Sequence, residues 1–465
     1  MKFELNEDQA LLKTSTREML ETESPLAQSR AVMEDNPDGY AKKLYADLGE
    51  LGYLGILRSE DGGGMGAIAF AAVLSEMGRV AFPGPFLEVA LAVRALESCG
   101  AKAAESWLDA ASAGEKIVVM ARGESMSNSD ASSIACQFAN GRVSGTKVFV
   151  PFGAQANALL VETEQGIALV ERPDGGWNAT ALTTLDHAQR FANIALDEPG
   201  ELVAEGAEAR KILDDASRLG ALGASAVMLG CMESALEASL KYTTEREAFG
   251  VPIGSFQGLQ HRAADMLIKT ESSRSAVFRA AWAEENGEPD AGYLISIAKA
   301  WAGPSGRFVC GQSIQLHGGV GYTWEYDLHV WFKRVKTLEQ FYGSWSTRCS
   351  PEVRSGVARS GVGGSYWRRG WGERGFRRMA HCCRGRCCRT SRLGVEVLRG
   401  CWEGGSALFR RNPLSPQPLS DVDDDVDDDV GSRGVTAFGG SIDRLGCRVV
   451  RLRGLLRLGW ARVGP

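Results

Sequence analysis

Between Ile212 and Leu240 the residues Ile212, Leu219, Leu222, Ala226, Leu229, Leu236 and Leu240 recur near the helical period, drawing one apolar stripe along roughly 30 residues. A helix this long must lay its stripe against other helices, and the chain supplies them. Gly250 and Pro252 close the segment, a second helical pattern runs from Leu259 to about Glu285, and a third from Gly292 to Leu316. The spacing therefore predicts a helical bundle over residues 201–344.

Upstream, Leu11, Leu12, Met19 and Leu20, then Tyr40, Leu44, Leu48, Leu51 and Leu54, keep helical spacing, with Pro37 and the glycines of 62–66 as punctuation. Two more helices are expected over Ile68 to Arg79 and, after Pro83 and Pro85, over Phe86 to Cys99. Together these predict a small all-helical domain over 1–113. Across 114–200 the pattern changes to short apolar runs such as Ile117-Val-Val-Met, Ala158-Leu-Leu-Val-Glu and Gly166-Ile-Ala-Leu-Val, separated by Gly, Asn and Pro. No crossover of helical length lies between them, which argues for an antiparallel sheet. The order is helices, sheet, helices, an α+β chain without an internal repeat.

Composition divides the chain a second time. Residues 345–465 hold 22 Arg, no Lys and 12 acidic residues, a charge of +10, whereas the preceding part carries −16. That tail includes the acidic run that begins at Asp421 and the sequence His381-Cys-Cys-Arg-Gly-Arg-Cys-Cys388, and it has no periodicity. Arg and Gly without Lys is what G+C-rich DNA encodes out of frame, so an aberrant or disordered, irregular tail is expected. Adjacent cysteines lack the spacing of a zinc site, and no metal is expected. A charge of −16 argues against nucleic acid as the main body's partner, because phosphate binding needs clustered cations. The start of the chain lacks an apolar core followed by a cleavage site, nothing reads as a membrane span, and Cys99, Cys136, Cys231 and Cys310 are too scattered for a disulfide framework. A reduced, cytoplasmic protein is expected.

Two segments could carry chemistry. In Tyr242-Thr-Thr-Glu-Arg-Glu-Ala-Phe-Gly-Val-Pro-Ile-Gly-Ser-Phe-Gln-Gly-Leu-Gln260 an arginine at a helix end precedes a Gly turn and an aromatic, Gln-bearing stretch. Guanidinium for a pyrophosphate, ring surface and amide could seat an extended anionic dinucleotide; a helix end with a basic residue on its dipole is the plainer alternative. In Gln315-Leu-His-Gly-Gly-Val-Gly-Tyr-Thr-Trp-Glu325 clustered glycines let backbone approach a ligand closely, although a simple turn fits as well. Gly62-Gly-Gly-Met-Gly-Ala67 formally matches a dinucleotide loop, but Glu60 and Asp61 would oppose a pyrophosphate and no βαβ unit surrounds it.

Taken together and in this order, the two segments resemble the acyl-CoA dehydrogenase family, and Leu51-Gly-Tyr-Leu-Gly-Ile-Leu57 resembles part of its N-terminal domain. The likeness covers nearly all of residues 1–344. It implies FAD as cofactor, an acyl-CoA thioester as substrate, α,β-desaturation as the reaction, and a homo- or hetero-tetramer. It also implies that Arg246, Phe249 and Gln257, with Gln315, Gly318 and Gly319, contact the flavin of a neighbouring subunit, and that Phe149 lies beside the isoalloxazine of its own.

Two departures stand against the family pattern. Tyr342 occupies the place of the catalytic glutamate, and a neutral phenol is a poor acceptor for an α-proton. The family's alternative base position, on the long helix, falls on Gly220, leaving Asp214, Asp215 and Glu339 as distant candidates. The hydroxyl-bearing residue of the flavin loop is replaced by Pro151, and the other flavin loop survives only as Asn128-Ser129-Asp130. The expectation is a supporting subunit of a mixed oligomer. A self-sufficient homotetramer with an unrecognised base and a catalytically silent structural or binding relic are the alternatives.

Overall fold

The structure, a computed structural model, describes residues 5–36, 38–124 and 134–343. The Arg-rich tail, with its His381–Cys388 stretch, and Asn128-Ser129-Asp130 lie outside these residues.

Helices α1 (Glu7–Glu23), α2 (Leu26–Asp35), α3 (Lys42–Glu50), α4 (Gly66–Arg79), α5 (Phe86–Cys99) and α6 (Lys102–Ser112) form the first part. The start of α1 is fixed by a reciprocal cap: the Gln9 amide donates to Asn6 Oδ1 at 2.7 Å, and the Asn6 amide donates to Gln9 Oε1 at 3.1 Å. Helix α5 stops at Gly100, whose φ of 59° belongs to the left-handed region. The segment Gly62–Ala67 leads into α4 through a 3-10 turn at Glu60–Gly62, with no strand before it.

Eight strands follow: β1 (Val118–Ala121), β2 (Gln137–Ala139), β3 (Arg142–Pro151), β4 (Ala158–Glu162), β5 (Gly166–Glu171), β6 (Asn178–Leu182), β7 (Phe191–Pro199) and β8 (Glu201–Glu205). They make two four-stranded sheets, ordered β1-β4-β5-β8 and β2-β3-β7-β6. Asn140 and Gly141, at φ 52° and 74°, make the two-residue turn between β2 and β3, a sharp hairpin that suits the twist of both strands. The expected antiparallel pairing holds with one correction: β1 and β4 run parallel, Val118 opposite Ala158. That pair is joined through the β2–β3 hairpin rather than a helix, so the sequence has no crossover signal to read.

The last part holds α7 (Gly206–Glu245), the hairpin of β9 (Glu247–Ala248) and β10 (Val251–Pro252), and helices α8 (Gln257–Glu285), α9 (Ala291–His317) and α10 (Leu328–Gln340). The single stripe expected for α7 understates its burial, since every residue from Leu219 to Leu236 is buried. Its window is apolar and long enough to cross a membrane by composition, yet it lies wholly inside the protein. Small residues allow this. A β-carbon on Gly230 would fall 1.8 Å from the Ser75 carbonyl oxygen, and one on Gly78 would fall 2.1 Å from that of Val227, so α4 and α7 cross backbone to backbone.

Two buried charges join elements. Glu76, on α4, is fully enclosed and is paired by Arg17 at 2.8 Å, Lys13 at 3.5 Å and Arg79 at 3.6 Å, which ties α1 to α4. On α10, Arg334 is 2% exposed and reaches in three directions: to Asp186 Oδ2 at 2.5 Å, to the Phe82 carbonyl at 2.9 Å and to the Ala81 carbonyl at 3.2 Å. One guanidinium thereby clamps the end of α4, the β6–β7 connection and α10. Replacing one member of such a pair leaves the other charge buried without a partner, which costs about 3–5 kcal/mol. Arg334→Met is expected to lower unfolding stability by that order in urea titration, and the Asp186→Asn single variant to do likewise, with the double variant less affected than the sum.

Candidate functional site

The two sequence segments meet in space. Tyr242, one turn from the end of α7, stacks on His317, the last residue of α9, with ring centroids 4.2 Å apart, and Ser239 donates to Ser313 Oγ at 2.8 Å. His317 is thereby a structural residue: it is buried, its Nδ1 lies 2.8 Å from the Ser313 carbonyl, and burial holds its pKa down. Arg246 caps α7 in an extended conformation, and its carbonyl accepts the Ile253 amide at 2.8 Å, folding the next turn back beside it. Its side chain is exposed and makes no ion pair among the described residues.

Phe249 and Gly250 form the tip of the β9–β10 hairpin, at φ 56° and 79°. A phenylalanine in the left-handed region is strained, and here the strain carries a ring out to 97% exposure. Phe256 meets that ring edge-on at 6.3 Å. Gln257 opens α8 and Gln315 lies in the last turn of α9, both exposed; beyond it, Gly318, at φ 64°, and Gly319 have open space where a β-carbon would stand. A free guanidinium, an exposed ring, two amides and uncovered backbone match the needs of an extended anionic cofactor lying on this surface from another chain. These residues fit part of an FAD site.

The side facing the chain's own sheet does not fit. Phe149 sits at an irregularity of β3 with φ 53°, and its amide is already donated to Asn193 Oδ1 at 3.1 Å. Pro151 pairs with Phe191 across the sheet and has no amide proton to give a flavin. Phe191 is in turn stacked at 4.7 Å on Phe341, at the end of α10.

Tyr342 and Gly220 face one another. A β-carbon on Gly220 would lie 2.3 Å from Cε1 and 2.4 Å from Cδ1 of the Tyr342 ring, so the phenol rests directly on the α7 backbone. The turn that carries it is held by Lys299, whose ammonium donates to the Glu339 and Gly343 carbonyls at 3.0 Å each, and Tyr342 itself takes φ 56°. Burial, and next the carboxyl of Glu88, push the Tyr342 hydroxyl well above its usual range, so it cannot serve as a base at neutral pH. Arg122 crosses from the end of β1 to α7, donating to the Leu213 carbonyl at 3.0 Å while pairing with Glu162 at 3.0 Å.

The remaining carboxylates stand elsewhere. Glu339 is buried against Gly303 and paired with Arg307 at 2.9 Å and Lys336 at 3.3 Å. Asp215 is bonded to Arg218, and Asp214 is exposed, both on turns of α7 that point away from the face of Gly220. Sequence reasoning missed Glu88. It is a lone charge in the otherwise apolar start of α5, 6% exposed, with burial raising its pKa to about 7 and its Oε2 without a partner. The legible signal was that isolated Glu inside Phe86-Leu-Glu-Val-Ala-Leu-Ala92. The cavity it lines measures about 20 Å³, room for a water and not for a thioester. Among the described residues no group of three or more His, Cys, Asp or Glu could hold a metal.

Comparison with known proteins agrees with this anatomy. A family model described as acyl-CoA dehydrogenase, N-terminal domain, matches residues 6–115, and one described as acyl-CoA dehydrogenase, C-terminal domain, matches 216–349. Acyl-CoA dehydrogenase FadE27 of Mycobacterium tuberculosis is 31% identical over 323 residues, covering 64% of this chain and 84% of its own. Acryloyl-CoA reductase (NADH) of Anaerotignum propionicum is 29% identical over 375 residues, covering 74% and 93%. Among solved structures, the ChsE4-ChsE5 complex from Mycobacterium tuberculosis superposes with a TM-score of 0.67 at 26% identity, over 77% of this chain and all of the matched one.

The Tyr342–Gly220 contact generates a direct test. Gly220→Ala inserts a methyl group into the ring and is expected to cost about 1–3 kcal/mol of stability. In a Tyr342→Ala background the same substitution is expected to cost far less, and equal costs in the two backgrounds, read by urea unfolding, would contradict this packing.

Proposed function

The chain belongs to the acyl-CoA dehydrogenase family, FAD-dependent oxidoreductases acting on the CH–CH bond of acyl-CoA thioesters, and from that premise we propose that it is the supporting subunit of a hetero-oligomer. In this reading its Arg246, Phe249, Gln257, Gln315, Gly318 and Gly319 complete the flavin site of a neighbouring subunit, which provides the proton-accepting carboxylate. The observation that carries the reading is the Tyr342 ring lying on Gly220. Both positions from which the family supplies its base then hold groups that cannot accept a proton, and the space between them is filled. One structural relative is a ChsE4-ChsE5 complex, which supports an assembly of two different chains.

Bound FAD supplies the hydride acceptor for desaturation, with the α-proton passing to a base. The work of this chain is electrostatic and steric. Arg246 offers a charge-assisted pair to a phosphate without first breaking an internal ion pair, because no described acidic group holds it. Phe249 offers an exposed ring face at the tip of the hairpin, with Phe256 edge-on to it at 6.3 Å. Gly318 and Gly319 let the partner's cofactor approach backbone amides. On its own side, the Phe149 amide is donated to Asn193 and Pro151 has no amide proton, so neither of these two residues has a backbone donor left for an isoalloxazine.

Flavin content tests the proposal. The chain purified alone is expected to be colourless, and co-expression with its partner to yield a complex with the visible absorbance of bound flavin. Removing one charge-assisted contact by Arg246→Ala is expected to weaken flavin retention by about 10- to 100-fold. A chain that holds a full complement of flavin and desaturates acyl-CoA by itself would refute the supporting role.

A further inference from the structure

We propose that Tyr242 is a positioning residue for the cofactor-contacting surface: its ring, stacked on His317, sets where the Gly318–Gly319 backbone stands relative to Arg246. The inference rests on the reading that this surface completes a neighbouring subunit's flavin site, and it names the side chain that joins the two halves of that surface.

Tyr242 meets both halves at once. Its backbone carbonyl accepts the Arg246 amide at 2.9 Å, closing the last turn of α7 on the residue that carries the exposed guanidinium. Its ring lies on that of His317 with centroids 4.2 Å apart and planes 26° from parallel, and its hydroxyl reaches the His317 carbonyl at 3.5 Å. Tyr326 completes the cluster, edge-on to Tyr242 at 6.4 Å and tilted to His317 at 5.7 Å. Stacked and edge-on rings at these separations attract one another beyond the area they bury.

His317 is in turn the body around which the glycine turn is wound. Its Nδ1 lies 2.8 Å from the Ser313 carbonyl, one turn back in α9, so the ring is fixed from two directions. Gly318 leaves the helix at φ 64° and ψ −140°, and the 3-10 turn Gly318–Tyr322 folds back on the histidine: a β-carbon on Gly321 would fall 2.9 Å from His317 Cβ and 2.5 Å from the Ile314 carbonyl oxygen. The Gly318 amide bonds the Gln315 carbonyl and the Thr323 amide the Val320 carbonyl at 3.1 Å. Bonds of a 3-10 turn have poor geometry, and Gly318 and Gly319 bring no side chain of their own to anchor it. The place of the turn therefore depends on the ring beneath it. Arg246 and the turn can act on one extended anion only at a fixed spacing, and a spacing set before the ligand arrives spares binding the cost of ordering it.

The test uses Tyr242→Leu, which keeps apolar bulk and helix preference but removes the ring, beside Tyr242→Phe, which keeps the ring and removes the hydroxyl. Ser239→Ala is the control for a loosened α7–α9 joint, since it removes the bond to Ser313 one turn earlier without altering either ring. In the full chain, amide exchange at Gly318 and Thr323 is expected to accelerate about 10-fold in Tyr242→Leu, beyond any change in global unfolding, and to stay within about 2-fold in the other two variants. In the complex co-purified with its partner, Tyr242→Leu is expected to weaken flavin retention about 10-fold, and the other two by about 2-fold or less. Exchange or retention in Tyr242→Leu that matches the unaltered chain, or acceleration that follows global stability and appears equally in Ser239→Ala, would overturn the positioning role. If Tyr242→Leu does not fold, Tyr326→Leu removes the edge-on ring from a 37% exposed position and is expected to accelerate the same two amides about 3-fold; unaltered rates there overturn the role as well. Arg246→Ala keeps the two readings apart. Retention lowered by Arg246→Ala and untouched by Tyr242→Leu removes the positioning role alone, whereas retention untouched by Arg246→Ala removes the cofactor-contacting surface on which that role rests.

Discussion

The glycine-bearing face of α7 is the constraint from which the rest of the molecule takes its positions. Gly230 admits the backbone of α4, Gly223 admits Leu87 at the start of α5, with a β-carbon there falling 2.6 Å from Leu87 Cδ1, and Gly220 admits the ring of Tyr342. A helix interior loses about 1 kcal/mol for each glycine relative to alanine. Close approach of three neighbours offsets that loss, because dispersion contacts collapse when a gap of even an ångström is opened. The buried run from Leu219 to Leu236 is therefore the axis on which the surrounding helices are assembled.

Placement of the site follows from this axis. Its far end delivers Arg246 and the Phe249 hairpin to the surface, where the Tyr242–His317 stack fixes them beside the end of α9. Nearer its middle the same helix carries Gly220 against the ring of Tyr342. One helix thus carries an exposed arginine and aromatic hairpin at its terminus and a glycine covered by the Tyr342 ring along its length. Those two properties coexist because they depend on different neighbours: the terminus on α9, the covered glycine on the turn after α10.

Electrostatics reinforces the division. Buried charges at Glu76 and Arg334 are each met by several partners, as enclosure requires. Glu88 is not, and Arg246 on the surface is not either. A carboxyl with one oxygen left unbonded inside a cavity is a departure from what stability alone would select.

Sequence by itself determined the order of helices, sheet and helices, since periods of 3.6 and 2 are local properties, and it showed the segments around Arg246 and Gly318 as turn-bearing stretches, while the roles expected of Arg246, Phe249, Gly318 and Gly319 came from the family resemblance. The same resemblance placed Tyr342 and Gly220 where the family carries its base. Sequence could not reveal that these two residues touch, because contacts between segments more than 100 positions apart leave no periodic trace. The parallel β1–β4 pair and the solitude of Glu88 were hidden for the same reason: pairing partners and the solvation of a charge are set by what the rest of the chain packs around them. Tertiary structure alone decided that the phenol of Tyr342 packs on the α7 backbone at Gly220, because that contact depends on how the turn after α10 is laid against α7.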